Sequence, residues 1–258
     1  MKDWQPLQYL KYKDERTQPT IDLVNRIPLH APKRIIDIGC GPGNSTAVLH
    51  AKWSDAEIIG IDNSPSMLTE AKKSLPFVRF LQRDVKDELS SLGCFDVVFS
   101  NAALQWMPQH ETLLPKLFAM LNQGGVLAVQ VPYVRELPIY ACIMGIIAKK
   151  HWQPYFLMPP VFPRHFPYAH YYEIISSFST AIELWETDYI HILPSHAALV
   201  EWYKGSGLRP FLNMLPDNSL QEAFLVEYAS EIKKAYPIEK DGSVLLPFKR
   251  IFFMAFRS

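Results

Sequence analysis

The residues with the most chemistry in them stand in one short run, Ile35-Ile36-Asp37-Ile38-Gly39-Cys40-Gly41-Pro42-Gly43-Asn44-Ser45-Thr46. Three alternate glycines follow an apolar stretch and precede a helical one. Glycine reaches positive φ without a Cβ penalty and lets the backbone come close to a ligand. A turn of this kind, at the carboxyl end of the first strand of a doubly wound sheet, is where ligands bind. A dinucleotide calls for G-x-G-x-x-G around its pyrophosphate. Here the spacing is G-x-G-x-G, Pro42 stiffens the turn, and Asp37 stands just ahead of Gly39. A carboxylate there repels a pyrophosphate and attracts an ammonium group. S-adenosylmethionine carries an ammonium and a sulfonium but no phosphate, so the charge pattern favours it over NAD.

Three further anchors follow in chain order. Asp62 ends the next apolar run, where an acidic side chain can accept both ribose hydroxyls. Asp84, in Gln82-Arg83-Asp84-Val85, can accept from the adenine amine while Val85 offers a backbone donor. The stretch Ser100-Asn101-Ala102-Ala103-Leu104-Gln105-Trp106 follows the fourth apolar run, where the transferable methyl should lie. The candidate cofactor set is therefore Asp37, Gly39, Gly41, Asn44, Asp62, Asn63, Met67, Asp84, Val85, Asn101, Ala102 and Trp106, with Arg16 a candidate partner for the cofactor carboxylate. Taken singly, each has a plainer reading: a structural glycine turn, a helix cap at Asp62, a turn at Asp84, a surface ion pair at Arg16. Their order, each anchor at the end of an expected strand, favours the binding reading.

The elements that must position these residues alternate. Short apolar runs at 34–38, 57–61, 78–81, 95–99 and 125–130 read as strands, and 45–51, 65–75 and 111–121 as helices. Strands and helices in this rhythm imply βαβ units on a parallel sheet. The expected organisation is an N-terminal helical arm over 1–33, a Rossmann-like core over 34–132, an aromatic and proline-rich cap over 133–180, and a C-terminal part over 181–258 that completes the sheet and the acceptor pocket. Within the last part, 183–192 looks β-like, and 243–256 looks like a final strand broken at Pro247. The fold class expected is α/β, a doubly wound, mostly parallel sheet with an inserted, mostly helical cap.

At these residues the chain resembles the class I S-adenosylmethionine-dependent methyltransferases over about 34–131. A closer resemblance lies outside that core. Tyr9-Leu10-x-Tyr12-x-x-Glu15-Arg16-x-x-Pro19, Asn101-Ala102-x-Leu104-Gln105-Trp106, His170-x-Tyr172-x-Ile174-Ile175, Leu193-Pro194-Ser195-His196, Gly207-Leu208-Arg209-Pro210 and Leu245-Leu246-x-Phe248-x-Arg250 are similar to the trans-aconitate 2-methyltransferase family. That resemblance implies methyl esterification of a carboxylate on a small tricarboxylate. A carboxylate is already ionised at neutral pH, so it needs no general base before it attacks a sulfonium methyl. Positioning then supplies most of the rate, and no catalytic triad is expected. Trp106 and His170 are expected near methyl transfer. The remaining carboxylates of the acceptor call for cationic and phenolic donors, with arginine best for bidentate recognition. Candidates are His170, Tyr171, Tyr172, His191, Arg209, Lys249 and Arg250. Lys249 and Arg250 point to opposite sides of a strand, so one of them should face solvent. The tyrosines and His170 read more readily as cap packing, and Arg209 reads equally well as a solvated turn charge.

Composition bounds the alternatives. Lys+Arg and Asp+Glu are both 26, giving a net charge of zero. No global positive field exists to draw in nucleic acid or an anionic membrane. The longest apolar run, about 139–148, is too short to span a bilayer. The three cysteines, Cys40, Cys94 and Cys142, form no C-x-x-C pair, which fits a reducing cytoplasm. Histidines and carboxylates are scattered without H-E-x-x-H spacing, so no metal is implied. No coiled-coil pattern is evident, which is compatible with a monomer. Two other functions stay open: methylation of another small acceptor such as a malonyl thioester, and a protein that binds adenosylmethionine without turnover.

Overall fold

The computed structural model describes residues 13–87, 89–158, 160 and 163–258, with side chains from Thr17 onward. Seven strands are present among the described residues: β1 (Arg34–Ile38), β2 (Glu57–Asp62), β3 (Arg79–Gln82), β4 (Phe95–Asn101), β5 (Leu121–Pro132), β6 (Ala181–Leu193) and β7 (Val244–Phe256). Their order in the sheet is β3-β2-β1-β4-β5-β7-β6. The first five pair in parallel, with Ile36 beside Ile59 on one flank and Val98 on the other. This is the doubly wound α/β arrangement expected from the alternating pattern.

The strands are short, apolar and buried on both faces, as strands of a parallel sheet must be. Ile35, Ile36, Ile38, Val97, Val98 and Phe99 are all fully buried. α1 (Lys13–Arg26) precedes β1, and α2 (Asn44–Lys52), α3 (Pro65–Ser74) and α4 (His110–Ala119) follow β1, β2 and β4. Pro65 occupies the first turn of α3, where its missing N–H costs nothing, and the Ser64 hydroxyl caps that helix by accepting from Met67 N at 3.3 Å. The chain winds outward from β1 through β2 to β3, returns to β4 on the other side of β1, and continues to β5. The reversal point lies between β1 and β4, the place where open sheets of this kind bind ligands at the carboxyl ends of their strands.

Two compact units make up the chain. The first gathers the described residues up to Val131 with Phe166–Thr187 and Ile251–Ser258; the second holds Pro132–His165 and Asp188–Arg250. In the first unit, α6 (Tyr168–Ile175) packs on α4. In the second, α5 (Pro138–Ile147) and α7 (His196–Lys204) pack on the long α9 (Asn218–Ala235), and a short α8 (Arg209–Leu212) precedes it. Tyr228 and Tyr236 tie α9 and its end to the start of α5: the Tyr228 hydroxyl donates to Ile139 O at 3.0 Å and the Tyr236 oxygen accepts from Ile139 N at 3.1 Å.

One expectation is corrected. Pro247 does not break the last strand, since β7 runs unbroken from Val244 to Phe256. Proline's fixed φ lies inside the extended region, so the strand loses one donor and keeps its path. Among the described residues no helix is long and apolar enough to cross a membrane, and no group of three or more His, Cys, Asp or Glu could hold a metal ion.

Candidate active site

The glycine loop joins β1 to α2 at the reversal point. Gly39, Gly41 and Gly43 all have positive φ, at 71°, 54° and 92°. At Gly39 a side chain is excluded outright, because an added Cβ would fall 2.3 Å from the Cβ of Ala103. At Gly41 the reverse holds: nothing among the described residues lies within 4 Å of where a Cβ would stand. The loop thus packs against the chain after β4 at its first glycine and presents open backbone at its second. Gly39 N and Cys40 N donate to Ile61 O at 2.8 and 3.0 Å, which ties the loop to β2.

Asp62 stands at the end of β2 and holds two backbone donors. Its Oδ2 accepts from Gly41 N at 3.0 Å and its Oδ1 from Ser64 N at 2.8 Å. One carboxylate therefore fixes both the open glycine and the entrance to α3. Asn63 beside it is exposed and Met67 is buried in α3.

Asp37 is fully buried in β1. Its Oδ2 accepts from the Ser45 and Thr46 hydroxyls at 2.6 and 2.7 Å, pinning the start of α2 behind the loop. Its Oδ1 is buried with no hydrogen-bond partner among the described residues. Burial pushes the carboxyl up to about 6, against the opposing pull of the two hydroxyl bonds, and Asp62 adds a smaller push in the same direction. Asn44 Nδ2 and Asn101 Oδ1 are likewise buried without partners. All three belong to residues at or just beyond the carboxyl ends of β1 and β4.

Asp84 forms a turn after β3. Its Oδ1 accepts from Lys86 N and its own N–H donates to Asp87 Oδ2, both at 3.0 Å. Val85 is buried. After β4, Ala102 adopts a left-handed conformation with φ 52°, uncommon for a residue with a Cβ. Ala102 N donates to Gln130 O at 3.0 Å, and Gln105 Nε2 to Ala102 O at 2.6 Å. Trp106 ends this turn half-buried. The structure thus brings Asp37, the glycine loop, Asn44, Asp62, Asn101 and Ala102 to one end of the sheet. The side chain of Arg16 and the Tyr9–Tyr12 motif lie outside the described residues.

The candidate acceptor residues divide between the units. In the first, Tyr171 is fully buried, its ring stacked on Phe253 at 5.2 Å, and burial raises its phenol well above the ordinary range. His170 stacks on Phe166 at 4.0 Å and lies 3.6 Å from Glu111 Oε1. Tyr172, on the outer side of α6, is 55% exposed. In the second unit, His191 is buried against Trp202 and Phe248, with ring centroids 5.3 and 6.0 Å away. Arg250 is only 3% exposed, its guanidinium 5.0 Å from the centroid of Phe248 and 5.7 Å from that of Tyr189. A buried guanidinium over aromatic faces gains cation–π attraction that offsets part of its desolvation. Lys249 points the other way, 4.0 Å from Glu136 Oε2, and Arg209 opens α8 half-buried.

Two residues escaped the sequence reading. Gln130 is fully buried in β5, and His110 is fully buried at the start of α4. The signal for Gln130 was a polar residue inside an apolar strand. His110 gave none, since a histidine after Pro108-Gln109 reads as a surface helix start.

With this geometry in view, the comparisons with known proteins agree. A methyltransferase-domain family model matches residues 29–157. The chain is 43% identical over 268 residues to the trans-aconitate 2-methyltransferase of Methylobacterium nodulans, covering all of both chains. It is 40% identical over 256 residues to that of Variovorax paradoxus, covering 99% of this chain and 98% of the relative. In fold it is similar to the YcgJ protein of Bacillus subtilis, with TM-score 0.63 at 15% identity over 93% of this chain and 98% of that one. The plantazolicin methyltransferase BpumL, solved in complex with SAH, is similar with TM-score 0.52 at 15% identity over 96% of this chain and 84% of that one. End-to-end identity at this level, on a sheet with its glycine loop at the reversal point, places the chain in the trans-aconitate 2-methyltransferase family.

Proposed function

We propose that this protein forms a methyl ester on a carboxylate of trans-aconitate with S-adenosylmethionine as donor. The observation that carries the donor site is the loop at the end of β1. Gly41 presents open backbone, Asp62 stands beside it, and three buried polar atoms nearby (Asp37 Oδ1, Asn44 Nδ2, Asn101 Oδ1) have no partner among the described residues. Buried polar groups without partners are costly and rare, and they fit a site built to be completed by a ligand. The acceptor follows from the relatives that match this chain end to end, which carry the name trans-aconitate 2-methyltransferase.

S-adenosylmethionine supplies a methyl group made electrophilic by its sulfonium. The rest is binding and alignment by the chain. Asp62 is suited to accept the ribose hydroxyls, and Asp84 with Val85 to meet the adenine edge. Asp37 has the charge and the vacant oxygen to hold an ammonium, and a cation there would return its carboxyl toward the ionised form. Asn101, Ala102 and Trp106 wall the transfer site from the β4 side, and His170 is a candidate for the same wall. Arg250 is the strongest candidate for a distal carboxylate, since a buried guanidinium makes charge-assisted bonds at their full strength. Lys249 is the weaker candidate because Glu136 already lies near it. Tyr172 is set aside by its exposure. The acceptor carboxylate enters ionised, so alignment within a closed site accounts for the chemistry: well-oriented reactions gain about 7–11 kcal/mol from approximation. The balanced charge of the chain suits a small acid better than nucleic acid, and the cytoplasm is the compartment proposed.

The test is transfer of labelled methyl to a panel of acids: trans-aconitate, cis-aconitate, citrate, isocitrate and a malonyl thioester. Selective labelling of trans-aconitate as a base-labile ester is the expected result. Labelling of the thioester alone would move the acceptor. Binding of the donor with no acid labelled would leave a binding protein without turnover.

A further inference from the structure

The turn after β4 is held from two sides. On the inner side, Ala103 fills the space that the missing Cβ of Gly39 leaves, and Met107 Cε lies 3.6 Å from the same point. On the outer side, the Leu104 carbonyl accepts two hydrogen bonds, from Met107 N and from His110 Nε2, both at 2.8 Å. A carbonyl only accepts, so Nε2 of His110 carries the proton. His110 is 1% exposed, and burial lowers its pKa, which keeps the imidazole neutral. Its ring sits among aromatic neighbours: Phe166 edge-on at 5.4 Å and Tyr171 stacked at 5.8 Å. Phe166 is itself stacked on His170, and Tyr171 on Phe253. The imidazole therefore cannot rotate away from Leu104 without displacing α6.

We propose that His110 is a positioning residue for methyl transfer, holding the Leu104 carbonyl so that the turn 102–106 stays pressed against Gly39. Ala102 makes such a clamp necessary. Its left-handed backbone is disfavoured for a residue with a Cβ, so the turn relaxes unless both of its ends are fixed. Gln130 fixes the first end through Ala102 N, and His110 fixes the second. A turn released at Leu104 shifts the wall of the transfer site without touching Asp62 or the open face of Gly41. The consequence falls on alignment: a displacement near 1 Å costs about 100-fold in rate.

This inference rests on the proposed methyl transfer, whichever acid accepts it. The experiment compares His110→Phe, which keeps an aromatic ring and removes the donor, with His110→Gln, which keeps a donor at similar reach. His110→Phe should lower kcat about 10- to 100-fold. KM for the acid and the Kd of S-adenosylhomocysteine should stay within about twofold, and His110→Gln should recover most of the lost kcat. Ala102→Gly gives a second reading that does not threaten folding, because it removes the left-handed penalty that makes the clamp necessary; added to His110→Phe it should restore part of the lost kcat. Unchanged kcat in His110→Phe overturns the proposal, and so does a double variant no faster than His110→Phe alone. So does a joint loss of kcat and S-adenosylhomocysteine affinity that His110→Gln does not relieve, since that marks a residue needed only for structure. A wild-type protein silent toward the whole acid panel removes both this inference and the proposed reaction, whereas an active wild type with an unaffected His110→Phe removes only this one.

Discussion

Asp37 is an acid in a place that disfavours its charge. Burial pushes its carboxyl up to about 6 in the fold from the ordinary 3.8, so the folded state holds the proton more tightly between those values. Stability from this group is therefore present at low pH and is lost as pH rises from about 4 to above 6. The loss amounts to about 3 kcal/mol for the ligand-free protein. Asp37→Asn, which leaves an oxygen for Ser45 and Thr46, should raise the unfolding free energy by about that amount at pH 8, and the gain should fade toward pH 4. Chemical denaturation of both proteins across that range measures it, and a difference that does not change with pH would mean Asp37 is ionised throughout. Asp62→Ala removes a charged acceptor from Gly41 and Ser64 as well as from the ribose. Each bond to a charged group is worth about 1.5–3 kcal/mol, so calorimetry with S-adenosylhomocysteine should show binding weakened by roughly 10- to 100-fold; wild-type affinity would remove the ribose assignment. For Arg250→Ala the loss should fall on the acid instead. KM for trans-aconitate should rise by a similar factor while cofactor affinity holds, and a KM at the wild-type value takes Arg250 out of acceptor binding.

At the scale of elements, the glycine loop and the turn after β4 share one space, because Ala103 occupies what Gly39 leaves empty. Gly39→Ala should therefore abolish folding or cofactor binding. Ala103→Gly in the same chain should relieve the collision but not the positive φ, so the double variant should recover only part of the loss in thermal stability. Full recovery would assign the whole effect to packing, and none would assign it to backbone strain. The same elements show what the sequence made legible. β1, β2 and α3 were readable almost to the residue because a buried parallel strand leaves an unbroken apolar run such as Ile58-Ile59, and Ser64-Pro65 punctuates the start of a helix. The carboxylates proposed for the cofactor site stand out in the sequence for the same reason, each a charge at or after the end of an apolar run. β5 begins at Leu121, inside what looked like the end of a helix, because Leu121 is apolar in either pattern and only its pairing with Phe95 decides. The helices of the second unit and the inward turn of Arg250 depend on contacts between residues far apart in the chain. His110 was invisible because its role is made by a carbonyl and by α6, which no local pattern encodes.

At the scale of the molecule, the two units are interleaved along the chain rather than consecutive. The first is closed by Ile251–Ser258, and Ile251, Phe252, Phe253, Met254 and Ala255 are fully buried within it. Burying a large apolar side chain contributes about 1.5–3 kcal/mol. The last strand thus contributes on the order of 10 kcal/mol, comparable to the whole stability of a typical domain. A chain ended after Arg250 should be insoluble or lack cooperative unfolding by circular dichroism; a soluble, cooperatively folded truncation would show that β7 is dispensable. During synthesis the glycine loop leaves the ribosome well before the strand that finishes its unit. A nascent chain thus carries an uncovered β5 flank until β7 has emerged. The unit that bears the glycine loop waits on its most distant segment, and a ribosome stalled anywhere before β7 leaves that unit unfinished.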